Sequence, residues 1–375
     1  MTTNVRMANK QDKEGIKKLW SEVFVDDSTN FVEWFYENRY NRAFATCLEA
    51  DGEIASAMQG YPFNLRIRGR IVQASILAGV STYEKHRGKG FMSKVFKAHM
   101  EQIRDAGIPL VPHTPANTPT FFSKGHYPVT ETKIVTIKAM DYDSEAKIFP
   151  LKDIKSEYGN MFACYTKWSL PYSGIVARSM SDFTLKMADY SADDSKVSIL
   201  YKGSNVKAYG VFYILPEYIY VEEIAYDSSE SLTEMLKKVA TLGKEVRAKL
   251  PTDSVVNIEG ATSKTRLQGV VGVANMSAFL KALFPFIPKD YEDSCIEVVD
   301  RIVDTNNGVY KLDGRVVNEK PHITIEAGRL AQVLCGYKTL DEQLEENNVV
   351  VHDKAIFDRL NNLLPKEKCF IIDEY

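Results

Sequence analysis

The segment HRGKGFMSKV, residues 86–95, places basic residues and glycines directly before an apolar helical pattern. A predicted strand precedes it, so free backbone N–H groups and the positive end of a helix would meet at one point. Gly88 and Gly90 would let the backbone approach a phosphate closely, and Arg87 and Lys89 could add charge-assisted contacts. The pattern predicts an anion site suited to a pyrophosphate.

The same segment is compatible with one other structure and incompatible with two well-known phosphate-binding motifs. For the string alone, a solvated basic turn with two glycines is an equally good explanation. A Walker loop is excluded, because Lys94 is misplaced and the chain has no GK[ST] motif. A dinucleotide fingerprint is also excluded, because the preceding segments are typical of antiparallel hairpins and not of a βαβ unit.

Hydrophobic periodicity indicates the elements that would position this loop. Residues 12–23 and 31–35 predict two amphipathic helices, and Asp51-Gly52 predicts a hairpin turn within a set of three antiparallel strands. After the loop, apolar residues on one face predict a helix that ends before Gly107, and LVPHT predicts a further strand.

Composition bounds the class of protein. A chain of 375 residues with 45% hydrophobic and 26% charged residues is typical of a globular protein with about two or three domains. The net charge of -3 predicts neither a nucleic-acid nor a membrane partner, and no run approaches the ~18 apolar residues of a membrane helix. The five cysteines are far apart without a CxxC motif, which favours reduced thiols in a cytoplasm and no metal site.

The loop in its context resembles the acetyl-CoA site of the GNAT N-acetyltransferases, whose usual pattern is Arg/Gln-x-x-Gly-x-Gly/Ala. Arg87 and Gly90 match its first two fixed positions, and Met92 occupies the third. FFSKGHY is similar to the family's Tyr-x-x-x-Gly-Phe/Tyr ending, with Tyr127 in the final aromatic position. The resemblance implies acetyl-CoA as cosubstrate and the following contact residues: Val80, Ser81, Thr82, Arg87, Gly88, Lys89, Gly90, Phe91 and Met92.

The rest of the chain predicts two further domains. Residues 149–278 repeat the order of hairpins and helix, but YDSSES replaces the phosphate loop with acids and no glycine, which predicts a second GNAT-like domain without a cofactor site. Residues 279–375 resemble the sterol-carrier-like domain of the Eis (enhanced intracellular survival) acetyltransferases. The predicted fold class is α+β: tandem GNAT domains with mixed, mainly antiparallel sheets and flanking helices, the first over residues 1–148, followed by a sterol-carrier-protein-2-like α/β domain.

The Eis resemblance also implies the catalytic and acceptor residues. An alkylamine of pKa ~10.4 needs a base, which in that group is the C-terminal carboxylate, here on Tyr375. This role requires a packed tail, and the apolar residues 370–372 favour one. Tyr127 would donate a proton to the departing thiolate. The acceptor would contact Phe24, Asp26, Trp34 and Glu374, of which Trp34 is offset by two positions from the Eis tryptophan.

These observations predict an acetyl-CoA-dependent N-acetyltransferase in which an amine attacks the thioester directly in a ternary complex. Aminoglycosides, polyamines and peptide lysines are the expected acceptors, and the resemblance implies a homohexamer. One alternative is an acyltransferase that uses a longer acyl-CoA. The other is a non-catalytic module that binds an apolar ligand or a protein. His113 and His126 are candidate bases, although His113, inside an apolar strand, is more typical of a core residue.

Overall fold

The computed structural model describes residues 2–114 and 121–373. Its helices are α1 Asp12–Val23, α2 Thr29–Asn38, α3 Phe91–Asp105, α4 Tyr158–Ser169, α5 Met180–Ala192, α6 Ser229–Ala240, α7 Met276–Leu283, α8 Ala327–Leu334, α9 Leu340–Glu345 and α10 Lys354–Leu363. Among the described residues, none of the helices is both long and apolar enough to cross a membrane.

Among the described residues, the two longest strands have 15 and 13 residues and form one hairpin. They are β1 Thr3–Met7, β2 Ala45–Ala50, β3 Glu53–Ile67, β4 Arg70–Thr82, β5 Leu110–His113, β6 Tyr127–Ile137, β7 Lys147–Pro150, β8 Tyr172–Ser173, β9 Ile175–Val176, β10 Lys196–Lys202, β11 Asn205–Ile214, β12 Tyr218–Tyr226, β13 Glu245–Leu250, β14 Thr262–Val273, β15 Ile296–Val299, β16 Gly308–Tyr310, β17 Val316–Val317, β18 Ile323–Glu326, β19 Val349–Val351 and β20 Lys368–Cys369.

Contacts divide the described chain into two units. The first unit holds residues 2–114, 121–129 and 269–367, and the second holds residues 130–268 and 368–373. The predicted domain boundaries after residues 148 and 278 stay a prediction. The two units are defined by contacts within the fold, whereas the predicted domains are defined by the order of elements along the sequence.

The larger sheet of the first unit has the strand order β1-β2-β3-β4-β5-β14. The predicted hairpin turn joins β2 to β3, where Asp51 and Gly52 both have positive φ, as a tight two-residue turn requires. Helix α3 packs on this sheet through an apolar face that includes the buried Phe91, Val95, Phe96 and Ile103. The other helices of this region, α1 and α2, bury Trp20 and Phe35 in a separate cluster.

A bulge interrupts the long β3–β4 hairpin near the end of β4. Ala57 pairs with Ser81 and Gln59 with Ala78, so two residues of β4 stand opposite one of β3. One of the two is Gly79, with φ of +55°, where a Cβ would come within 2.4 Å of the Trp20 ring. Bulges bend a strand and locally interrupt its pairing, and pairing with β3 resumes at Ser81 and Thr82, the last residues of β4 before the loop.

The second sheet of the first unit has the order β17-β16-β15-β18-β19. Gly314, with φ of +83°, lies in the predicted turn between β16 and β17. Helices α8 and α10 bury Leu330, Val333, Phe357 and Leu360, which form part of the core beside this sheet. The predicted strand, helix and hairpin pattern of the C-terminal segment is therefore present.

The second unit is built on the strand order β6-β13-β12-β11-β10-β7. Apolar residues of α6, including Leu232 and Leu236, are fully buried in one of its core clusters, and Phe183 of α5 lies in the other. The chain again forms antiparallel strands β10, β11 and β12 before a helix, as the sequence predicts.

The tail of the chain is packed into the second unit as far as it is described. Strand β20 pairs with β8, and the side chains of residues 370–372 are at most 3% exposed. The Lys249 ammonium donates to the carbonyl oxygen of Ile372 at 2.9 Å, and Arg178 pairs with the carboxylate of Asp373 at 3.0 Å. Glu374 and Tyr375, the predicted acceptor-binding residue and base, lie outside the described residues.

Candidate functional site

The predicted phosphate loop connects the end of β4 to the start of α3. Gly88 and Gly90 have φ of +77° and +74°, and a Cβ at either position would meet no atom within 4 Å. Glycine is therefore needed at both positions because of the left-handed backbone conformation, and not because a neighbouring atom would clash with a side chain. Arg87 is exposed, and its Nε donates to the carbonyl oxygen of Thr82 at 3.4 Å.

The N-terminus of α3 is open to a ligand. Gly90 is its N-cap and has no side chain to accept from the first turn, which also contains no acidic residue. The first backbone bond within the helix runs from the Lys94 N–H to the carbonyl oxygen of Gly90 at 3.2 Å. The preceding N–H groups point out of the helix end, where the helix dipole favours an anion.

A cavity of about 420 Å³ lies against this loop and helix end. Six of the nine predicted cofactor residues line it: Thr82, Arg87, Gly88, Gly90, Phe91 and Met92. Val80, Ser81 and Lys89 are outside its lining. The Lys89 ammonium lies 3.4 Å from Nδ1 of His86, and the Ser81 side chain is buried within the sheet.

Sequence reasoning missed four residues of this lining: His86, Ser93, Ser123 and Lys124. The Lys124 ammonium donates to the Ser93 hydroxyl at 2.8 Å, which holds an additional cation beside the N-terminus of α3. Lys124 belongs to the quoted FFSKGHY segment, so its basic side chain was the available signal.

Glu53 at the start of β3 supports the loop from one side. Its carboxylate binds the Lys85 ammonium at 2.6 Å and Nε2 of His86 at 2.9 Å. These two hydrogen bonds hold the pKa of Glu53 below its usual value. The His86 ring stacks on Phe91 with centroids 5.5 Å apart, which links the loop to the first residue of α3.

Tyr127, the predicted acid, begins β6 and contacts a later part of the chain. Its hydroxyl donates to the Glu326 carboxylate at 3.0 Å, and the Arg329 guanidinium lies 3.7 Å from the ring centroid. Burial, and then the charge of Glu326, raise the pKa of Tyr127, so the phenol is protonated at neutral pH. Tyr127 does not line the loop cavity.

The predicted acceptor-binding residues lie around α1 and α2. Phe24 follows α1 with its ring centroid 5.9 Å from that of Trp20, and half-buried Trp34 packs against the same aromatic cluster. Asp26 is exposed in the connection between the helices. The structure thus brings Phe24 and Trp34 to one cluster, and none of the three residues lines the loop cavity.

The two candidate histidine bases are core residues. His126 is 1% exposed and His113 is 5% exposed, with ring centroids 5.5 Å apart. Burial lowers the pKa of His126 to about 3, with a smaller contribution from His99. Burial also lowers the pKa of His113 well below its usual value. Neutral imidazoles of such low basicity are poor acceptors for the proton of an amine.

The corresponding helix start in the second unit differs from the first. Ser228 is the N-cap of α6, and its hydroxyl accepts from the Ser231 N–H at 3.2 Å. The Ser231 hydroxyl donates to the Asp227 carboxylate at 2.7 Å. A side chain therefore occupies the position that is open at α3, and a carboxylate stands beside it.

Two family models match parts of the chain. Residues 4–129 match an acetyltransferase (GNAT) domain, and residues 276–372 match a sterol carrier protein domain. The GNAT match contains the loop, the cavity and Tyr127, and the second match contains Glu326 and Arg329. No curated protein sequence matches this chain.

Solved structures resemble the chain over its whole length. A probable N-acyltransferase from Enterococcus faecalis, described as a conserved protein of unknown function, has a TM-score of 0.82 at 15% identity, with both chains fully covered. Eis1 from Mycobacterium abscessus has a TM-score of 0.74 at 14% identity, also with both chains fully covered. At such identities the likeness shows a shared fold.

A more distant structure has a bound acyl-CoA. The N-myristoyltransferase of Saccharomyces cerevisiae with bound myristoyl-CoA has a TM-score of 0.51 at 11% identity, covering 72% of this chain and 82% of that one. The chain therefore has the GNAT fold, a fold that supports acyl transfer to an amine, together with a sterol carrier protein domain in its C-terminal part. The predicted α+β class is confirmed.

Proposed function

We propose that this protein is an acetyl-CoA-dependent N-acetyltransferase that acetylates primary amines of the aminoglycoside, polyamine or lysine type. The observation that supports this function is the N-terminus of α3, uncapped by any side chain and bordered by Arg87 and Lys124. A pyrophosphate there would accept from backbone N–H groups at the positive helix end and pair with both cations. The nearby cavity would hold the adjoining part of the cosubstrate.

The reaction proposed is direct attack of the amine on the thioester carbonyl within a ternary complex. The amine nitrogen forms the new bond to the acyl carbon, the carbon–sulfur bond breaks, and the amine proton must be accepted. The proposed acceptor of that proton is the carboxylate of Tyr375, as the resemblance to the Eis group implies. The proposed donor to the thiolate is Tyr127, whose phenol would have to leave its hydrogen bond to Glu326.

A thiol-release assay tests the proposal. Purified protein with acetyl-CoA and an excess of spermidine, kanamycin or a lysine peptide should release free CoA in proportion to acetylated amine. Mass spectrometry of the amine provides the matched product measurement. If no amine class gives turnover above the rate without enzyme, the proposed acetyl transfer is wrong, and the same assay with longer acyl-CoA donors then distinguishes the second candidate from the non-catalytic alternative.

A second candidate is transfer of a longer acyl group. Its support is the likeness in fold to the yeast enzyme that was solved with myristoyl-CoA. Comparing kcat/KM for acetyl-, octanoyl- and myristoyl-CoA with one amine distinguishes the candidates, because the acetyl thioester should be preferred under the first proposal. A homohexamer located in the cytoplasm completes the proposal, and light scattering of the purified protein tests the assembly.

A further inference from the structure

Charged side chains are buried around the end of the described tail in the second unit. They are Arg178, Glu222, Glu223, Lys249 and Asp373, which we call the anchor cluster. All but Glu222 have side chains that are at most 4% exposed. Charged residues are rarely buried to this extent, and each needs partners that replace its lost hydration. The proposed acyl transfer assigns no role to these five residues.

Arg178, two residues before α5, joins the sheet of the second unit to the tail. Its Nη1 and Nη2 donate to the two carboxylate oxygens of Glu223 at 2.9 and 2.8 Å, and Nη2 also donates to Asp373 at 3.0 Å. The Glu223 carboxylate accepts two further hydrogen bonds, from the hydroxyls of Tyr190 at 3.0 Å and Tyr209 at 2.7 Å. A bidentate pair fixes the plane of a guanidinium. Arg178 is therefore held in one orientation, and its contact holds the Asp373 side chain in turn.

Lys249, in β13, binds the preceding residue of the tail through the main chain. Its ammonium donates to the carbonyl oxygen of Ile372 at 2.9 Å and also pairs with the Glu222 carboxylate. The Ile372 side chain is fully buried in an apolar cluster. Two consecutive tail residues are therefore bound by different buried cations, one at the backbone and the other at the carboxylate of Asp373.

The anchor cluster lies where the pairing of two parallel strands ends. β12 and β13 pair as far as Val221 and Ala248. The next residues in the two strands, Glu222 and Lys249, form an ion pair of the anchor cluster. A bulge interrupts the register of β12 against β11 at the same position. The second unit, whose helix start between these two strands is capped by Ser228, thus binds a segment of its own chain where β12 and β13 cease to pair.

We propose that Arg178 and Lys249 are positioning residues that fix where the C-terminal carboxylate acts. The inference rests on the proposed role of the Tyr375 carboxylate as the base. Two residues span at most about 7 Å, so binding the tail at Ile372 and Asp373 limits the region that this carboxylate can reach. A general base must come within hydrogen-bond distance of the proton that it accepts, and a displacement of about 1 Å can lower the rate by about 10²-fold.

Two variants loosen the tail through different contacts. Asp373→Asn removes the charge that pairs with Arg178 and keeps the bidentate pair of Arg178 with Glu223. Lys249→Met removes the donor to the Ile372 carbonyl and keeps most of the side-chain volume. Each variant should lower kcat at least tenfold and change the Kd of acetyl-CoA less than twofold, measured with whichever of spermidine, kanamycin or the lysine peptide is acetylated fastest. Hydrogen exchange of the tail amides should be faster in both variants, which reports the release of the tail directly.

Asp12→Asn is the matched control. Asp12 is buried in the first unit and accepts from Nη2 of Arg6 at 3.0 Å, so the change removes the same kind of ion pair away from the tail. We expect it to lower the urea midpoint and to leave kcat within twofold of the unchanged protein. An unchanged kcat in both tail variants would overturn the proposal, whether or not their tail amides exchange faster.

A chain extended by one residue after Tyr375 separates positioning from a general effect on the fold. The extension displaces the proposed base, so Asp373→Asn in the extended chain should lower kcat less than twofold further. An equal loss of kcat in both backgrounds would show that Asp373 acts only through stability. Full activity of the extended chain would exclude the base itself, and with it the positioning role. That failure is distinct from an unchanged kcat in the tail variants of an enzyme that requires its free terminus.

Discussion

The phenol of Tyr127, the first residue of β6, donates a 3.0 Å hydrogen bond to the carboxylate of Glu326, the residue that precedes α8. The two residues lie 199 positions apart in the sequence. Next to this bond, a Cβ at Gly328 would come within 2.0 Å of the Gly125 carbonyl oxygen. The start of α8 is therefore in close contact with the segment that leads into β6.

Replacing Tyr127 with Phe tests its two possible roles. If the phenol is the proton donor, kcat should fall by about 10²-fold or more while KM for acetyl-CoA changes little. The hydrogen bond to a carboxylate contributes about 1.5–3 kcal/mol, so the free energy of unfolding should also fall. Glu326→Gln is the control, because it weakens the same contact and keeps the phenol. Equal loss of turnover in both variants, matched by equal loss of stability, would indicate a structural role for Tyr127.

The phosphate loop predicts a loss of cosubstrate binding when its charge or backbone is changed. Arg87→Glu and Gly90→Val should each weaken acetyl-CoA binding more than tenfold, about 1.4 kcal/mol, in a calorimetric titration. The first change repels the phosphates, and the second disfavours the positive φ at the N-cap.

Gly107 provides a matched control at the other end of α3. It has φ of +77° with no atom within 4 Å of an added Cβ, as Gly90 has. Gly107→Val should therefore impose the same backbone strain and leave acetyl-CoA affinity unchanged. Intact affinity in the loop variants would place the phosphates at another site.

Stoichiometry distinguishes the two helix starts. Because Ser228 caps α6 with its own hydroxyl beside the Asp227 carboxylate, the second unit should not bind a pyrophosphate. Titration calorimetry should give one CoA per chain. A second site of similar affinity would contradict the interpretation of residues 149–278 as a domain without a cofactor site.

The terminal carboxylate is tested by extending the chain. Adding one residue after Tyr375 displaces the proposed base and keeps the buried anchors of the tail, Phe370 and Ile372. We expect turnover to fall by about 10²–10⁴-fold with acetyl-CoA affinity near normal. Tyr375→Phe keeps the carboxylate and serves as the control, with most activity retained. Full activity of the extended chain would exclude this carboxylate as the base.

The buried histidines predict a loss of stability in acid. Burial lowers the pKa of His126 to about 3 and that of His99 to about 4, below the unfolded value of about 6.5. As the pH falls, the unfolded chain therefore binds protons at a higher pH than the folded protein does. The stabilising contribution of the two imidazoles is complete above pH 6.5 and falls as the pH drops towards their folded pKa values. Between pH 7 and pH 5, each of the two imidazoles should lower the free energy of unfolding by about 2 kcal/mol.

Urea unfolding at pH 7 and pH 5 measures this loss. His126→Leu should reduce the difference between the two pH values, whereas His352→Asn, at an exposed position, should change it little. An unchanged difference in the His126 variant would show that this imidazole titrates normally in the folded protein.

Local features of this protein were determined by contiguous residues. The glycines at 88 and 90, the helix that follows them and the turn at Asp51-Gly52 depend on backbone preferences within a few positions, so their sequence is sufficient to predict them. The apolar run 370–372 likewise predicted a buried tail, because three such side chains in sequence are rarely left in water. The acids and the missing glycine of YDSSES likewise predict a helix start unsuited to a pyrophosphate, which stays a prediction, and the structure has a Ser228 side-chain cap at that position.

The tertiary structure decided which distant side chains meet. The lysine beside the N-terminus of α3, Lys124, the contact of Tyr127 with Glu326 and the placement of Phe24 and Trp34 in one cluster all depend on segments brought together by packing. Periodicity shows which face of an element is buried, but it contains no information about which partner covers that face. For the same reason the sequence named His113 and His126 as candidate bases, and only the fold shows that burial removes their basicity.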